Sequence, residues 1–200
     1  MLGMPVAKGT PLDPARTREA MLDRATDVFY RRGLDGAGIA ELCAQLGASK
    51  QTLYRHFGSK DGLIAAVLEA RSRRVTAWLR AAAEAGSSPA ERLAAVFDAL
   101  GSWYAEPGFR GCAIVNAATQ HHDDPPRAAV ARHLERYLDL LRGIASDAAT
   151  REPEALARQW LLLLEGSIVL ADHHGWGGAS ADVAKRAATD LLRLNENGGN

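Results

Sequence analysis

Two hundred residues, 47% of them apolar, suffice for one compact domain or a small module fused to a larger one, with a real core in either case. Cys43 and Cys112 are the only cysteines, which excludes a disulfide framework; the opening stretch lacks the basic-then-apolar order of a secretory leader, and the longest apolar run, around residues 160–164, stops at Glu165, far short of a bilayer span. These features predict a soluble, cytoplasmic protein with no membrane partner. The zero net charge hides an asymmetry, since residues 1–60 carry nine Lys/Arg against six Asp/Glu and residues 61–200 carry fifteen against eighteen. A basic N-terminal portion suits a polyanion, because binding releases condensed counterions.

No repeat and almost no strand pattern interrupts the helical punctuation, so the chain reads as all-α with about nine helices. Residues 1–12, rich in Gly and Pro, are expected to form a loose arm. Asp13-Pro14 is a cap followed by proline at the first helical position, and it opens a helix over 14–32 whose apolar face holds Leu22, Ala25, Val28 and Phe29. Two short helices follow over 39–46 and 50–57, then long ones over 60–84 and 89–105, the latter opened by the capping box Ser88-Pro89-Ala90-Glu91. Further helices are predicted over 110–121, 125–149, 153–173 and 181–195, with Asp124-Pro125, Pro153 and Ser180 as their opening signals. Leu93, Val96, Phe97 and Leu100, then Leu134, Tyr137, Leu138 and Leu141, keep the three-and-four spacing of buried stripes.

The short pair carries the most specific chemistry. Between the two helices lies Leu46-Gly47-Ala48-Ser49, in which Gly47 can end one helix with positive φ and Ser49 can cap the next. Two short helices on a tight glycine turn make a helix-turn-helix, whose second helix enters the major groove. Leu42, Cys43, Leu46, Leu53 and Phe57 supply the apolar anchors, leaving Lys50, Gln51, Thr52, Tyr54, Arg55 and His56 to face outward. Gln51 suits an adenine edge, Arg55 a guanine, and the Thr52 methyl a thymine methyl. Lys50, Tyr54, His56 and Lys60 suit phosphate oxygens, beside the helix start at Ser59-Lys60-Asp61.

Three segments resemble the DNA-binding module of the TetR family of transcriptional regulators: Phe29-Tyr30-Arg31-Arg32-Gly33, Leu42-Cys43-Ala44-Gln45-Leu46-Gly47-Ala48-Ser49, and Leu53-Tyr54-Arg55-His56-Phe57-Gly58-Ser59-Lys60. The third is the specific one. Where the family opens its second helix with Thr or Ser, this chain has Ala37-Gly38, which caps nearly as well but offers no hydroxyl to a phosphate. The resemblance implies a DNA-binding domain over 13–64, with Ser49, Lys50, Gln51, Thr52, Tyr54, Arg55, His56 and Lys60 at double-stranded operator DNA. It implies a ligand-binding and dimerisation domain over 65–200, and a repressor whose DNA-reading modules a small-molecule effector swings out of register. Homodimerisation would use the last two helices, at Leu161, Ile168, Val183, Ala187 and Leu191. The all-round apolarity of residues 160–170 fits that role or a plain buried core helix equally, and the resemblance favours the former; Val183, Ala187, Leu191 and Leu194 form a companion stripe, with Ala184 and Ala188 permitting close approach.

For the effector, Cys112, Asn116 and Gln120 form one stripe at spacing four, and Trp103, Tyr104, Tyr137 and Trp160 supply aromatic walls. Taken as a set, and given the resemblance to a TetR-type ligand-binding domain, they imply a cavity between helices five to eight, with Glu165 as its buried charge and a largely apolar, uncharged or weakly charged ligand. Plain core filling is the competing role for each aromatic. No cofactor, metal or enzymatic chemistry is expected. The pairs His121-His122 and His173-His174, and His133, lack the i,i+4 spacing of a metal pair. Cys112 sits in apolar surroundings, and no general acid–base pair, nucleophile motif or P-loop appears. The alternative is a small-molecule- or metal-binding helical protein with a vestigial helix-turn-helix.

Overall fold

The computed structural model describes residues 14–120 and 126–197, and among them it contains nine α-helices and no strand. In chain order these are α1 Pro14–Arg32, α2 Ile39–Leu46, α3 Lys50–Phe57, α4 Lys60–Glu84, α5 Pro89–Tyr104, α6 Ala113–Gln120, α7 Pro126–Asp147, α8 Pro153–His173 and α9 Gly178–Asn197. The chain divides into two compact units, Met1–Ala70 and Arg71–Asn200, and the division falls inside α4.

In the first unit α2 packs against α1 and α3. Its core is Met21, Leu22, Ala25, Val28 and Phe29 from α1, Leu42 and Leu46 from α2, Leu53 from α3, and Leu63, Ile64, Val67 and Leu68 from the first half of α4. Arg32 at the end of α1 pairs with Glu41 in the first turn of α2. In the second unit α9 lies along α5 and α8, and α7 packs on α8, α6 and α5. Phe97, Leu100, Tyr137, Leu141, Ile144, Trp160 and Leu164 are fully buried there. The capping box at Ser88 is formed: its Oγ accepts from the Glu91 N–H at 3.2 Å, and the Glu91 carboxylate accepts from the Ser88 N–H at 3.3 Å.

Five described boundaries differ from the sequence expectation; α5 ends at Tyr104 rather than 105 and α9 at Asn197 rather than 195, and three more have a local cause. α6 starts at Ala113 rather than 110, because Gly108 and Gly111 take left-handed φ of 85° and 69° and hold the approach out of helix. α7 ends at Asp147 rather than 149, where Ala149 itself takes φ 51°, a conformation disfavoured for a residue with a Cβ. α9 starts at Gly178, so Ser180 is not its cap; its hydroxyl lies within hydrogen-bond reach of the carbonyls of Gly177 (2.8 Å) and Ser167 (2.9 Å) instead. The 1–12 arm, the Asp13 cap and Asp124-Pro125 lie outside the described residues.

Candidate nucleic-acid interface and buried polar site

α3 is positioned almost entirely by local backbone chemistry. α2 closes on Gly47, left-handed at φ 62° and ψ 33°. The Gly47 N–H donates to the Ala44 carbonyl at 3.3 Å and the Ala48 N–H to the Cys43 carbonyl at 3.0 Å, the paired closure of a Schellman turn. Ser49 then caps α3: the Thr52 N–H donates to its Oγ at 3.1 Å, and the Ser49 and Thr52 hydroxyls meet at 2.9 Å. Leu53 is fully buried and anchors the helix. Phe57 is half-buried, with the Arg18 guanidinium 5.2 Å from its ring centre.

Of the residues expected to face a groove, Ser49, Lys50, Gln51, Tyr54 and Arg55 are exposed. Lys50 lies 5.6 Å from the Tyr54 ring centre. His56 is half-buried and tilted against Phe57. Thr52 is half-buried too, so what it offers outward is reduced, its hydroxyl being drawn into the cap. Lys60 begins α4, whose first turn is capped by Ser59 through the Gly62 N–H at 2.9 Å.

The second unit encloses a cluster of polar groups. The Arg136 guanidinium donates to Ser72 Oγ at 2.6 Å. Ser72 Oγ also lies 3.0 Å from His133 Nδ1, and His133 Nε2 lies 3.5 Å from Cys112 Sγ, with the donor at each contact set by the histidine tautomer. Burial, reinforced by Arg136 and Arg71, holds His133 neutral, with its pKa lowered to about 4. Burial also pushes the Cys112 thiol up to about 11, which makes it a poor nucleophile. Tyr137 stacks obliquely on His133 with ring centres 4.2 Å apart; its hydroxyl has no partner and its pKa is raised by burial. Tyr104 shares a 2.8 Å hydrogen bond with Ser167, and burial again dominates its raised pKa. Glu165 Oε1 is buried without a partner, and desolvation pushes this carboxyl up to about 7.

Tyr104, Cys112, Tyr137 and Glu165 of the expected ligand set therefore share one electrostatic neighbourhood. The others do not join it. Trp160 donates its Nε1–H to the Ala188 carbonyl at 3.0 Å and is consumed in α8–α9 packing. Asn116 donates to the Arg110 carbonyl at 2.8 Å and ties down the approach to α6. The Gln120 side chain lies outside the described residues. Trp103 faces a different space, a cavity of about 220 Å³ lined by Arg71, Arg74, Val75, Trp78, Trp103 and Glu106. This cavity lies between α4 and the end of α5 rather than among helices five to eight. Its α4 residues fall at i, i+3, i+4 and i+7, a one-face spacing visible in the sequence and not used there.

On α8, Leu162 is 75% exposed, and Val169 and Leu170 are exposed too; on α9, Val183 is exposed and Leu194 is 70% exposed. Leu161, Ala187 and Leu191 are half-buried. Ile168 is only 2% exposed and turned into its own unit, which corrects its expected place against a partner, while Ala184 and Ala188 are buried as well. Among the described residues no three His, Cys, Asp or Glu side chains converge as a metal site, and no helix is long and apolar enough to cross a membrane. His173 and His174 are exposed, and His121-His122 lie outside the described residues.

Residues 21–67 match the family model described as bacterial regulatory proteins, tetR family. The transcriptional activator FasR of Mycolicibacterium smegmatis is 34% identical over 46% of this chain and 42% of its own length, so the chain spans less than half of that curated relative. Two solved structures are similar over nearly their whole lengths. SCO4454, a TetR-family transcriptional regulator from Streptomyces coelicolor, superposes with TM-score 0.81 at 27% identity over 91% of this chain and 97% of its own. A TetR-type transcriptional regulator from Streptomyces avermitilis does so with TM-score 0.78 at 30% identity over 90% and 98%. From the Schellman turn and capped third helix to the helices of the second unit, the likeness runs through both parts of the molecule, and the chain belongs to the TetR family of transcriptional regulators.

Proposed function

We propose that the protein is a DNA-binding transcriptional repressor, working in the cytoplasm as a homodimer and released from its operator by a small-molecule effector. The observation that carries this is α3: a helix held by Leu53 and two backbone caps while Lys50, Gln51, Tyr54 and Arg55 stand in water. Gln51 and Arg55 read base edges, and Lys50, Tyr54, His56 and Lys60 hold phosphates, which fix register without specifying sequence. The exposed apolar residues of α8 and α9 support pairing with a second copy, so the operator is a pseudo-palindrome with half-sites about one helical turn, or a multiple of it, apart. The buried polar cluster and the adjoining aromatic cavity support an effector-binding role for Arg71–Asn200.

Selection of bound sites from random DNA, followed by binding isotherms at several salt concentrations, tests the reading. A two-fold motif with steep salt dependence is expected. Absence of any salt-dependent binding would leave a vestigial helix-turn-helix. In a reporter assay, expression of the protein should lower output from the selected site; a rise would make it an activator, as FasR is named.

A further inference from the structure

We infer that the cavity beside Trp78 and Trp103 binds a planar aromatic molecule carrying one carboxylate. This rests on the effector-binding reading above and gives that effector a chemical class.

The walls come first. Trp103 is held edge-on by Phe109, with ring centres 4.9 Å apart at 88°, and it leans on Tyr104 at 5.9 Å, so its orientation is set before any ligand arrives. Trp78 stands edge-on to Trp103 at 6.5 Å and 76° and keeps 40% of its surface in water. One fixed indole and a second, more solvated one at the rim of a cavity suit a flat apolar body that packs by stacking or edge contact. A volume of about 220 Å³ is smaller than the ~300–1,000 Å³ of pockets for drug-sized molecules, and points to one or two fused rings.

Charge then selects among flat ligands. Indole walls alone would also attract a cation. Here the lining brings two guanidiniums, Arg71 and Arg74, against one carboxylate, Glu106, so a cation is repelled and an anion favoured. Both arginines already engage neighbouring groups. A guanidinium has five donors, however, and its planar fork matches a carboxylate edge. Arg71 also acts electrostatically on Tyr137, Cys112 and His133, which ties the cavity to the cluster where the Tyr137 hydroxyl and Glu165 Oε1 lack partners. The largely apolar, uncharged or weakly charged ligand expected from sequence rested on Glu165 alone, and the α4 arginines add the anionic group.

Tryptophan fluorescence of the full chain, titrated with naphthoate and with naphthamide (the same rings without the charge), tests this. Naphthoate should bind at least about tenfold more tightly, the worth of a charge-assisted hydrogen bond. Arg71→Met and Arg74→Met should each erode that preference, and Trp78→Leu should weaken both probes. Arg74 is exposed, so its replacement spares the core if Arg71→Met fails to fold by circular dichroism. Equal affinity for acid and amide, no binding of either, or a preference that survives both arginine changes overturns the inference. Operator release is read separately: naphthoate that binds without releasing DNA leaves the ligand class standing and removes the release step from the proposed function.

Discussion

In α3 the buried anchor is a leucine and the exposed residues, Lys50, Gln51, Tyr54 and Arg55, are polar; in α8 Ser167 is buried while Leu162, Val169 and Leu170 lie in water. A polar face costs nothing to keep solvated, so it can wait for a partner and let it go. An apolar face costs about 25 cal/mol per Å² until something covers it, which favours a partner that stays. The same physics supports the proposed roles, reversible DNA binding for the one helix and lasting self-association for the other.

The largest effect should come from charging the apolar face. Leu162→Glu combined with Val169→Glu removes about 1.5–3 kcal/mol per side chain, and a two-fold axis doubles it, so the proposed dimer should weaken by about ten-thousandfold or more. Sedimentation should then show the monomer mass, with helix content unchanged by circular dichroism. An unaltered dimer would remove α8 from the interface. On α3, Gln51→Ala or Arg55→Ala should cost about 1–3 kcal/mol on the preferred site and relax its base preference. Lys60→Ala should instead weaken all sequences alike and reduce the salt slope by about 0.9. Isotherms on specific and scrambled DNA separate the two behaviours, and three variants with unchanged affinity would take α3 out of the groove.

α8 also turns one carboxyl inward, and its pH signature can be worked out. Glu165, raised to about 7, stays protonated in the folded chain while ionised in the unfolded one, so its contribution to stability falls as pH rises from about 4.5 to 7. His133, lowered to about 4, stays neutral when folded and takes a proton when unfolded, so its contribution is present above about 6.5 and is lost as pH falls toward 4. Between about 4.5 and 6.5 the two slopes oppose each other. Glu165→Gln should unmask the histidine, and urea midpoints should then climb with pH across that window. A slope identical to that of the parent protein would contradict the assignment. The smallest effect is at the cap: Ser49→Ala should cost about 1 kcal/mol, seen as a lower unfolding midpoint of the first unit and weaker binding to every DNA sequence.

Local signals explain what was legible in the sequence. The Gly47 turn, the Ser49 cap, the Leu53 anchor and the Ser88 capping box depend on residues a few positions apart, and each formed as read. Directions set by distant packing were not legible. Trp160 as an aromatic suits a pocket wall or a core equally, and only the Ala188 carbonyl, brought near by α9, decides for the core. Ile168 and Leu162 are both apolar residues of α8, yet one is buried and the other 75% exposed, because α9, α7 and α5 cover part of that helix and leave the rest. The α4 arginines were missed for a different reason: on a long charged helix a guanidinium reads as solvated surface until Trp103 is seen opposite it.

The left-handed turn at Gly47 also restricts how this chain can change over generations. A Cβ there would stand 3.3 Å from the Arg24 guanidinium, on a backbone with φ +62°. Asparagine, after glycine the side chain most at ease with such a φ, cannot be reached from any glycine codon by a single-base change. Aspartate can, but it must find room against the Arg24 guanidinium and would set a negative charge beside the helix proposed to face DNA phosphates. A mutagenized population should therefore keep glycine at this codon almost without exception while Ala48 beside it drifts, and selection for regulation would expose the turn as a point where the lineage has very few moves.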